Sequence, residues 1–127
     1  MTLEMRFTAQ GPIIDGSAAK VIDDVLDKTE NEAAQIAHDK VQARLRQVLR
    51  HPTGHYQSRI TVDRRSDSPV VTDGGVVYGP WLEGVGSRNH TTRFKGYHTF
   101  RTIAQEMQAD VVHIAENELE HQRGRLE

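Results

Sequence analysis

The chain has 127 residues, with 16 lysines and arginines against 18 aspartates and glutamates, and it has no cysteine. That length predicts a single domain over residues 1–127, and the lack of cysteine excludes disulfides, thiolate metal sites and thiol catalysis. The sequence has no apolar run long enough to span a membrane and no basic-then-apolar leader, so we expect neither a membrane protein nor a secreted one. Leu, Ile, Val and Phe make up about 23% of the chain, close to the level of about 20% at which disorder is expected, so we expect partner subunits to complete a thin core.

The first predicted elements are a strand and a long helix. Residues 3–9 alternate between apolar and polar side chains, which is the period of a half-buried strand. A helix is predicted from Ser17 to Arg50, where apolar residues recur every three or four positions. Its 34 residues would span about 51 Å, twice the diameter of a domain of this size. We therefore expect a break at the polar residues 29–32, or a neighbouring subunit that covers an unbroken helix.

The middle of the chain predicts a β region. His51-Pro52 ends the helix, and residues 56–62 alternate as a strand does. A polar turn over 64–69 leads into a strand at 70–72, and Asp73-Gly74 suits a tight hairpin whose returning strand would be 76–78.

The last third predicts helix, loop and helix. Residues 79–84 suit one helical turn with Pro80 at its start, and the Gly-rich residues 84–98 predict a flexible loop. Thr99 is a plausible cap for a C-terminal amphipathic helix that ends by Gly124. The predicted fold class is α+β, with a long N-terminal helix and a C-terminal helix packed on a small, mainly antiparallel β-sheet.

Candidate catalytic and metal-binding residues are few. None of the seven histidines forms a recognised ligand pair with a carboxylate on one helical face, so no metal site or cofactor is predicted. Glu83 is the only acid in the apolar segment 78–85, and we interpret it as the partner of Arg88 or Arg101 rather than as a general base. Gly84 and Gly86 lack the helix and lysine of a phosphate-binding loop. The chain is therefore predicted not to be an enzyme, and a hydrolase that uses Glu83 with His90 or His98 ranks last.

Charge is segregated along the chain. Residues 88–101 hold Arg88, Arg93, Lys95 and Arg101 without an acid, and Phe94 and Tyr97 lie among them. Acids collect in the first half of the long helix and in the last helix. Such segregation can match one subunit's acidic face to a neighbour's basic face, or it can place a basic loop against nucleic acid phosphates. Two solvated helix faces would also explain it.

Residues 78–87, Tyr-Gly-Pro-Trp-Leu-Glu-Gly-Val-Gly-Ser, precede an aromatic-led run into the last helix. This arrangement resembles the tail-completion and head-to-tail connector (neck) proteins of long-tailed bacteriophages, which carry a Tyr-Ala-x-x-Val-Glu-x-Gly-Thr type segment after a hairpin. Tyr78, Glu83, Gly84 and Phe100 hold the matching places, and the resemblance covers about residues 17–120. The interaction residues of this motif and its loop are predicted to be Tyr78, Trp81, Glu83, Gly84, Arg88, Arg93, Phe94, Lys95, Tyr97, Phe100 and Arg101.

The resemblance implies a structural virion protein that is assembled in the host cytoplasm and joins the head connector to the tail tube. Its expected partners are other copies of itself in a ring of six, the neighbouring neck or connector proteins and the tail tube protein, and contact with DNA in the channel is also expected. A tail terminator or a head-closure (stopper) protein is the closest alternative. An alternative of another class is a small nucleic-acid-binding module that uses the basic segment 88–101.

Overall fold

The architecture is α+β, as the sequence predicts: two long helices pack against each other and against a three-stranded antiparallel sheet. The structure is a computed structural model that describes residues 2–7, 17–49 and 54–123. The elements, in chain order, are β1 (Glu4–Arg6), α1 (Ser17–Val48), α2 (His55–Arg59), β2 (Thr61–Asp63), β3 (Val70–Thr72), α3 (Gly79–Glu83), a 3₁₀ helix (Ser87–His90) and α4 (Thr99–His121).

Helix α1 runs without a break through residues 29–32, so the predicted break is wrong. Thr29 is only 2% exposed and faces the core, which makes this segment part of the buried stripe rather than a gap in it. The Asn31 side-chain amide donates a hydrogen bond to the Asp27 carbonyl one turn earlier, at 2.9 Å, so this polar residue is accommodated within the helix. The unbroken helix is about 48 Å long.

Helix α4 lies antiparallel to α1. The Lys40 ammonium group binds the Asp110 carboxylate at 2.7 Å, and the Arg44 guanidinium donates to the Tyr97 carbonyl at 3.2 Å. Alanines on α1 (Ala33, Ala34 and Ala37) are at most 1% exposed, and such small side chains allow the two helices to approach closely. These contacts place the C-terminal end of α1 beside the start of α4, so the first half of α1 lies toward the C-terminal end of α4.

The sheet has the order β1-β3-β2, and both of its outer strands pair antiparallel to β3. Met5, Val71 and Val62 lie opposite one another across the three strands. The alternation predicted for residues 3–9 is confirmed over residues 3–7, because Leu3, Met5 and Phe7 are buried while Glu4 and Arg6 are exposed; residues 8 and 9 lie outside the described part of the chain. Strand β3 is buried along its whole length, as expected of a central strand.

Two parts of the predicted β region are helix and turn instead. Residues 55–59 form α2, which begins after Gly54 at φ +85° and brings Tyr56 into the core. Tyr56 and Ile60 are four residues apart, a spacing that suits both a strand and a helix face. The returning strand at 76–78 is absent because β1 and β2 already occupy both edges of β3. Instead, the Gly79 amide donates to the Val76 carbonyl at 3.0 Å, and the turn leads into α3.

Candidate functional site

Glu83 joins the end of α3 to the start of α4. Its side chain is buried, with 6% of the residue exposed, and its two carboxylate oxygens accept hydrogen bonds from the backbone amides of Phe100 and Arg101, at 2.8 and 3.0 Å. These amides belong to the first turn of α4, where N–H groups have no partner within the helix and the helix dipole favours a negative charge. The predicted pairing of Glu83 with an arginine side chain is therefore wrong, since the carboxylate binds backbone amides.

Thr99 does not cap α4, contrary to the sequence prediction. The residue at the cap position is His98, which has a left-handed backbone at φ +52° and makes no side-chain capping bond. The Thr99 hydroxyl is buried without a hydrogen-bond partner. The capping role falls to Glu83, 17 residues earlier, because the fold brings its carboxylate to the exposed amides.

Gly84 and Gly96 bring two backbone segments into direct contact. A Cβ built on Gly96 would lie 2.2 Å from the Gly84 Cα atom, and one built on Gly84 would lie 2.2 Å from the Lys95 carbonyl oxygen. Both glycines also have positive φ angles, of +102° and +96°. Beside this crossing the Tyr97 amide donates to the Leu82 carbonyl at 2.7 Å. Only glycine fits both positions, so the segment that follows α3 is held against the start of α4.

Asn89 organises the segment between the two glycines. It is buried, and its side-chain amide donates to the carbonyls of Trp81 and Phe94, each at 3.1 Å. Its side-chain oxygen accepts from the Gly86 amide at 2.9 Å. The Lys95 ammonium group donates to the Asn89 carbonyl at 2.9 Å. These hydrogen bonds connect residues within the segment to one another. The flexibility predicted for residues 84–98 stays a prediction.

Three aromatic rings and one guanidinium group form a half-buried cluster on this segment. The Trp81 and Phe94 ring centroids are 4.8 Å apart, and those of Phe94 and Tyr97 are 5.0 Å apart with an edge-on geometry. The Arg88 guanidinium lies over the Trp81 ring at 5.8 Å, within range of a cation–π interaction. The structure thus brings together four of the predicted interaction residues.

Tyr78 lies apart from this cluster, on the sheet side of α3. Its ring contacts that of Tyr56, with centroids 5.7 Å apart, and the Tyr56 hydroxyl donates to the buried Asp73 carboxylate at 3.1 Å. Burial raises the pKa of Tyr56, and the negative charge of Asp73 raises it further. Tyr78 itself is exposed, and its neighbour Val77 is 96% exposed.

The predicted basic residues Arg88, Arg93, Lys95 and Arg101 are all exposed, whereas Phe100 is buried in the core. The C-terminal half of α1 adds Arg44 and Arg46 at the same end of the molecule, because the guanidinium group of Arg44 binds the Tyr97 carbonyl. Within residues 17–49 and 54–123, no carboxylate lies at ion-pair distance from any of these six cations.

The Glu83 side chain is buried and each of its carboxylate oxygens accepts a backbone amide of α4, so the geometry uses this carboxylate as a helix cap. Among the described residues, no three His, Asp or Glu side chains are grouped as metal ligands would be. In the same part of the chain, no helix has the length and apolar character needed to cross a membrane.

Comparison with known proteins yields no relative: no family model, curated protein or solved structure matches the chain.

Sequence reasoning missed Asn89, Gly96 and Val77. Asn89 and Gly96 lie in the predicted loop, and the only signal the sequence offers there is the residue type, since an asparagine side chain can bind nearby backbone groups and a glycine tolerates positive φ. The exposure of Val77 is not expected from the sequence, because the predicted strand 76–78 would leave a valine half-buried.

Proposed function

We propose that this chain is a structural subunit of the neck of a long-tailed bacteriophage, where copies assemble as a ring and join the head connector to the tail tube. The observation that carries the proposal is the capping of α4 by Glu83. The resemblance to neck proteins rests on four residues that lie at or near the junction of α3 and α4, namely Tyr78, Glu83, Gly84 and Phe100. Glu83 and Gly84 make the backbone contacts of this junction, and the Phe100 side chain packs in the core.

The use of the carboxylate supports a structural role. An acid that catalyses a reaction needs an oxygen that can reach the substrate, whereas Glu83 is only 6% exposed and both of its oxygens point at backbone amides of α4. A carboxylate in that position stabilises the junction of α3 and α4, which is what a subunit interface on this segment would require. The same geometry argues against the hydrolase alternative.

The dimensions of the helices support assembly with other copies. The length of α1, about 48 Å, exceeds the diameter of about 26 Å expected for a domain of this size. On α4, Val112 and Leu119 are exposed although they are large and apolar. A neighbouring subunit would cover such side chains, and repeated head-to-tail contacts close into a ring when the rotation between subunits allows it. The subunit count, expected to be six, stays part of the proposal.

A tail terminator or a head-closure protein would also form a ring. Only binding to a neck partner can therefore test which position in the neck the ring occupies. Incubation of the purified chain with tail tubes and, separately, with connectors should place the ring on one of them in electron micrographs. Native mass spectrometry of the same samples should give the subunit count. A chain that stays monomeric and binds neither tubes nor connectors would remove the proposal.

A surface variant sharpens this experiment. Val77→Asp places a charge on a side chain that is 96% exposed, so it should leave stability within about 0.5 kcal/mol of the wild type. If the surface around Tyr78 docks on a neck partner, the variant should fold normally and lose docking. Thr61→Asp is the matched control, since Thr61 is also exposed but lies on the outer strand β2.

The alternative function, a nucleic-acid-binding module, has one observation in its favour. The Arg88 guanidinium and the Trp81, Phe94 and Tyr97 rings share a segment with Arg93 and Lys95, which have no carboxylate at ion-pair distance among the described residues. Aromatic rings and cations together bind single strands in many proteins. This function predicts salt-dependent oligonucleotide binding that weakens, with a smaller salt slope, when Arg88, Arg93 and Lys95 are changed to alanine. Unchanged binding in that variant, or no binding at low salt, would exclude the basic segment as a nucleic acid site.

A further inference from the structure

The α1/α4 pair carries opposite charges at its two ends. Residues 17–32 and 113–123 together hold eight carboxylates against three lysines or arginines, and the antiparallel packing of α1 on α4 gathers them at one end of the molecule. We call these residues the acidic end. Residues 41–49 and 84–101 hold six lysines or arginines and no acid, and we call them the basic end.

The two ends are too far apart to neutralise each other within one molecule. Residues 27 and 46 are separated by 19 positions of one continuous helix, which is about 28 Å. The Debye length at physiological salt is about 8 Å, so each end presents its charge to solvent almost independently of the other. Between the ends the charges are paired within the chain, as for Lys40, which binds Asp110 and Glu106.

Like charges are crowded at the acidic end. Partial loss of solvation raises the pKa of Glu32 on α1, and the hydrogen bond and negative charge of the Glu118 carboxyl group on α4 raise it further. A cation brought close to this pair would relieve the repulsion. At the other end, the six cations lack carboxylate partners among the described residues.

Both ends also expose apolar surface. Val112 and Leu119 on α4 are exposed near the acidic end, and Val85 is exposed beside the half-buried Trp81 at the basic end. Charge complementarity around an apolar contact is the usual composition of a specific interface, in which the charges set orientation and the apolar contact contributes affinity.

We propose that the basic end of one copy of this chain binds the acidic end of the next copy, so that the copies assemble head to tail. The inference rests on the proposed ring and names the surfaces that build it. A nucleic acid would neutralise only the basic end. A second copy neutralises both ends, because the net charges of the acidic and basic ends are opposite in sign and nearly equal in size. Because the two surfaces differ, the contact is heterologous, and repetition of it closes a ring or extends a filament.

The test uses two variants with opposite defects. The acid-end variant carries Asp27→Lys, Glu32→Lys and Glu116→Lys, and the basic-end variant carries Arg46→Glu, Arg93→Glu and Arg101→Glu, all at exposed positions. Arg6→Glu, Arg59→Glu and Arg65→Glu form the matched control, which changes the net charge as much as the basic-end variant does but on exposed arginines near the sheet. Circular dichroism and thermal unfolding show whether each variant folds.

Sedimentation velocity and native mass spectrometry then report association. The wild type and the control should form oligomers at low salt and lose them between about 0.1 M and about 1 M salt, as the Debye length falls from about 10 Å to about 3 Å. Each end variant alone should associate at least about tenfold more weakly, because the changed end then holds nearly equal numbers of cations and carboxylates and no longer complements the intact end. Mixed in equal amounts, the two variants should form a one-to-one dimer that does not grow, since each retains one intact end.

Several results would overturn the inference. They are a wild type that stays monomeric at low salt, folded end variants that associate as the wild type does, and a mixture that forms no dimer. Oligonucleotide binding by the basic end without any association of copies would assign that end to nucleic acid instead. The neck function fails separately: oligomers that form as described but bind neither tail tubes nor connectors would remove that function and leave the head-to-tail contact standing.

Discussion

The Glu83 carboxylate is the contact on which the start of α4 depends, and its removal tests the architecture of the site. Glu83→Ala deletes both acceptors and leaves the amides of Phe100 and Arg101 without a partner in the part of the chain that the structure describes. Glu83→Gln keeps the size of the side chain and one acceptor. Its amide nitrogen, however, faces a backbone N–H, so one of the two hydrogen bonds is lost together with the negative charge.

The expected magnitude follows from the two bonds and the helix dipole. A hydrogen bond to a charged acceptor contributes about 1.5–3 kcal/mol, and a negative charge at a partly buried helix N-terminus contributes up to about 2 kcal/mol. Removal of the buried carboxylate also relieves part of its desolvation cost. We therefore expect Glu83→Ala to lower the free energy of unfolding by about 3 kcal/mol and Glu83→Gln by about 1.5 kcal/mol.

Urea denaturation measures this change, and thermal unfolding should show a loss of about 10 °C in Tm for the alanine variant. Hydrogen exchange supplies a local readout, since the amides of Phe100 and Arg101 should exchange faster in both variants. Glu116→Gln is the control on the same helix, because Glu116 is exposed and its substitution should change stability by less than about 0.5 kcal/mol.

The reasoning would be refuted by Glu83 variants as stable as the control with unchanged exchange at Phe100 and Arg101. A selective loss of stability in the alanine variant, with full stability in Glu83→Gln, would show instead that packing around the side chain matters and its charge does not.

Three further predictions concern other positions. Gly96→Ala should destabilise the chain by more than about 2 kcal/mol in urea denaturation, because the new methyl group meets backbone at a positive φ, whereas Gly54→Ala, at a similar φ with nothing within 4 Å, should cost only about 1 kcal/mol. Equal losses would show that φ alone decides both. Tyr56→Phe leaves the buried Asp73 carboxylate with one hydrogen bond fewer and should cost about 1–3 kcal/mol by thermal unfolding, and a neutral result would contradict the proposed bond to Asp73. The pKa of Glu32 is higher in the folded chain than its ordinary value, so its favourable contribution is present at acid pH and is lost as the pH rises through the folded value. Glu32→Gln should thus be more stable than the wild type at pH 7 by a few tenths of a kcal/mol and equal to it at low pH, and stability curves parallel in pH would contradict the carboxyl pair.

The long elements of the fold follow from the sequence alone. An apolar stripe without Gly or Pro predicts α1 and α4, and the alternation at Leu3, Met5 and Phe7 predicts β1 with its buried face. Pro80 marks the start of α3. These signals are local, because side chains one or two turns apart on a helix, or two residues apart on a strand, decide which face is buried.

The tertiary structure decided the features that depend on residues distant in the chain. Residues 76–78 form no strand because both edges of β3 were already taken, and residues 55–59 are helical because that conformation carries Tyr56 into the core. The sequence shows two acidic segments and one basic segment. Only the antiparallel packing of α1 on α4 gathers the acids at one end of the molecule. Likewise, no local signal shows that Glu83 rather than Thr99 caps α4, since a cap supplied from 17 residues away exists only once the fold has brought the carboxylate to the free amides.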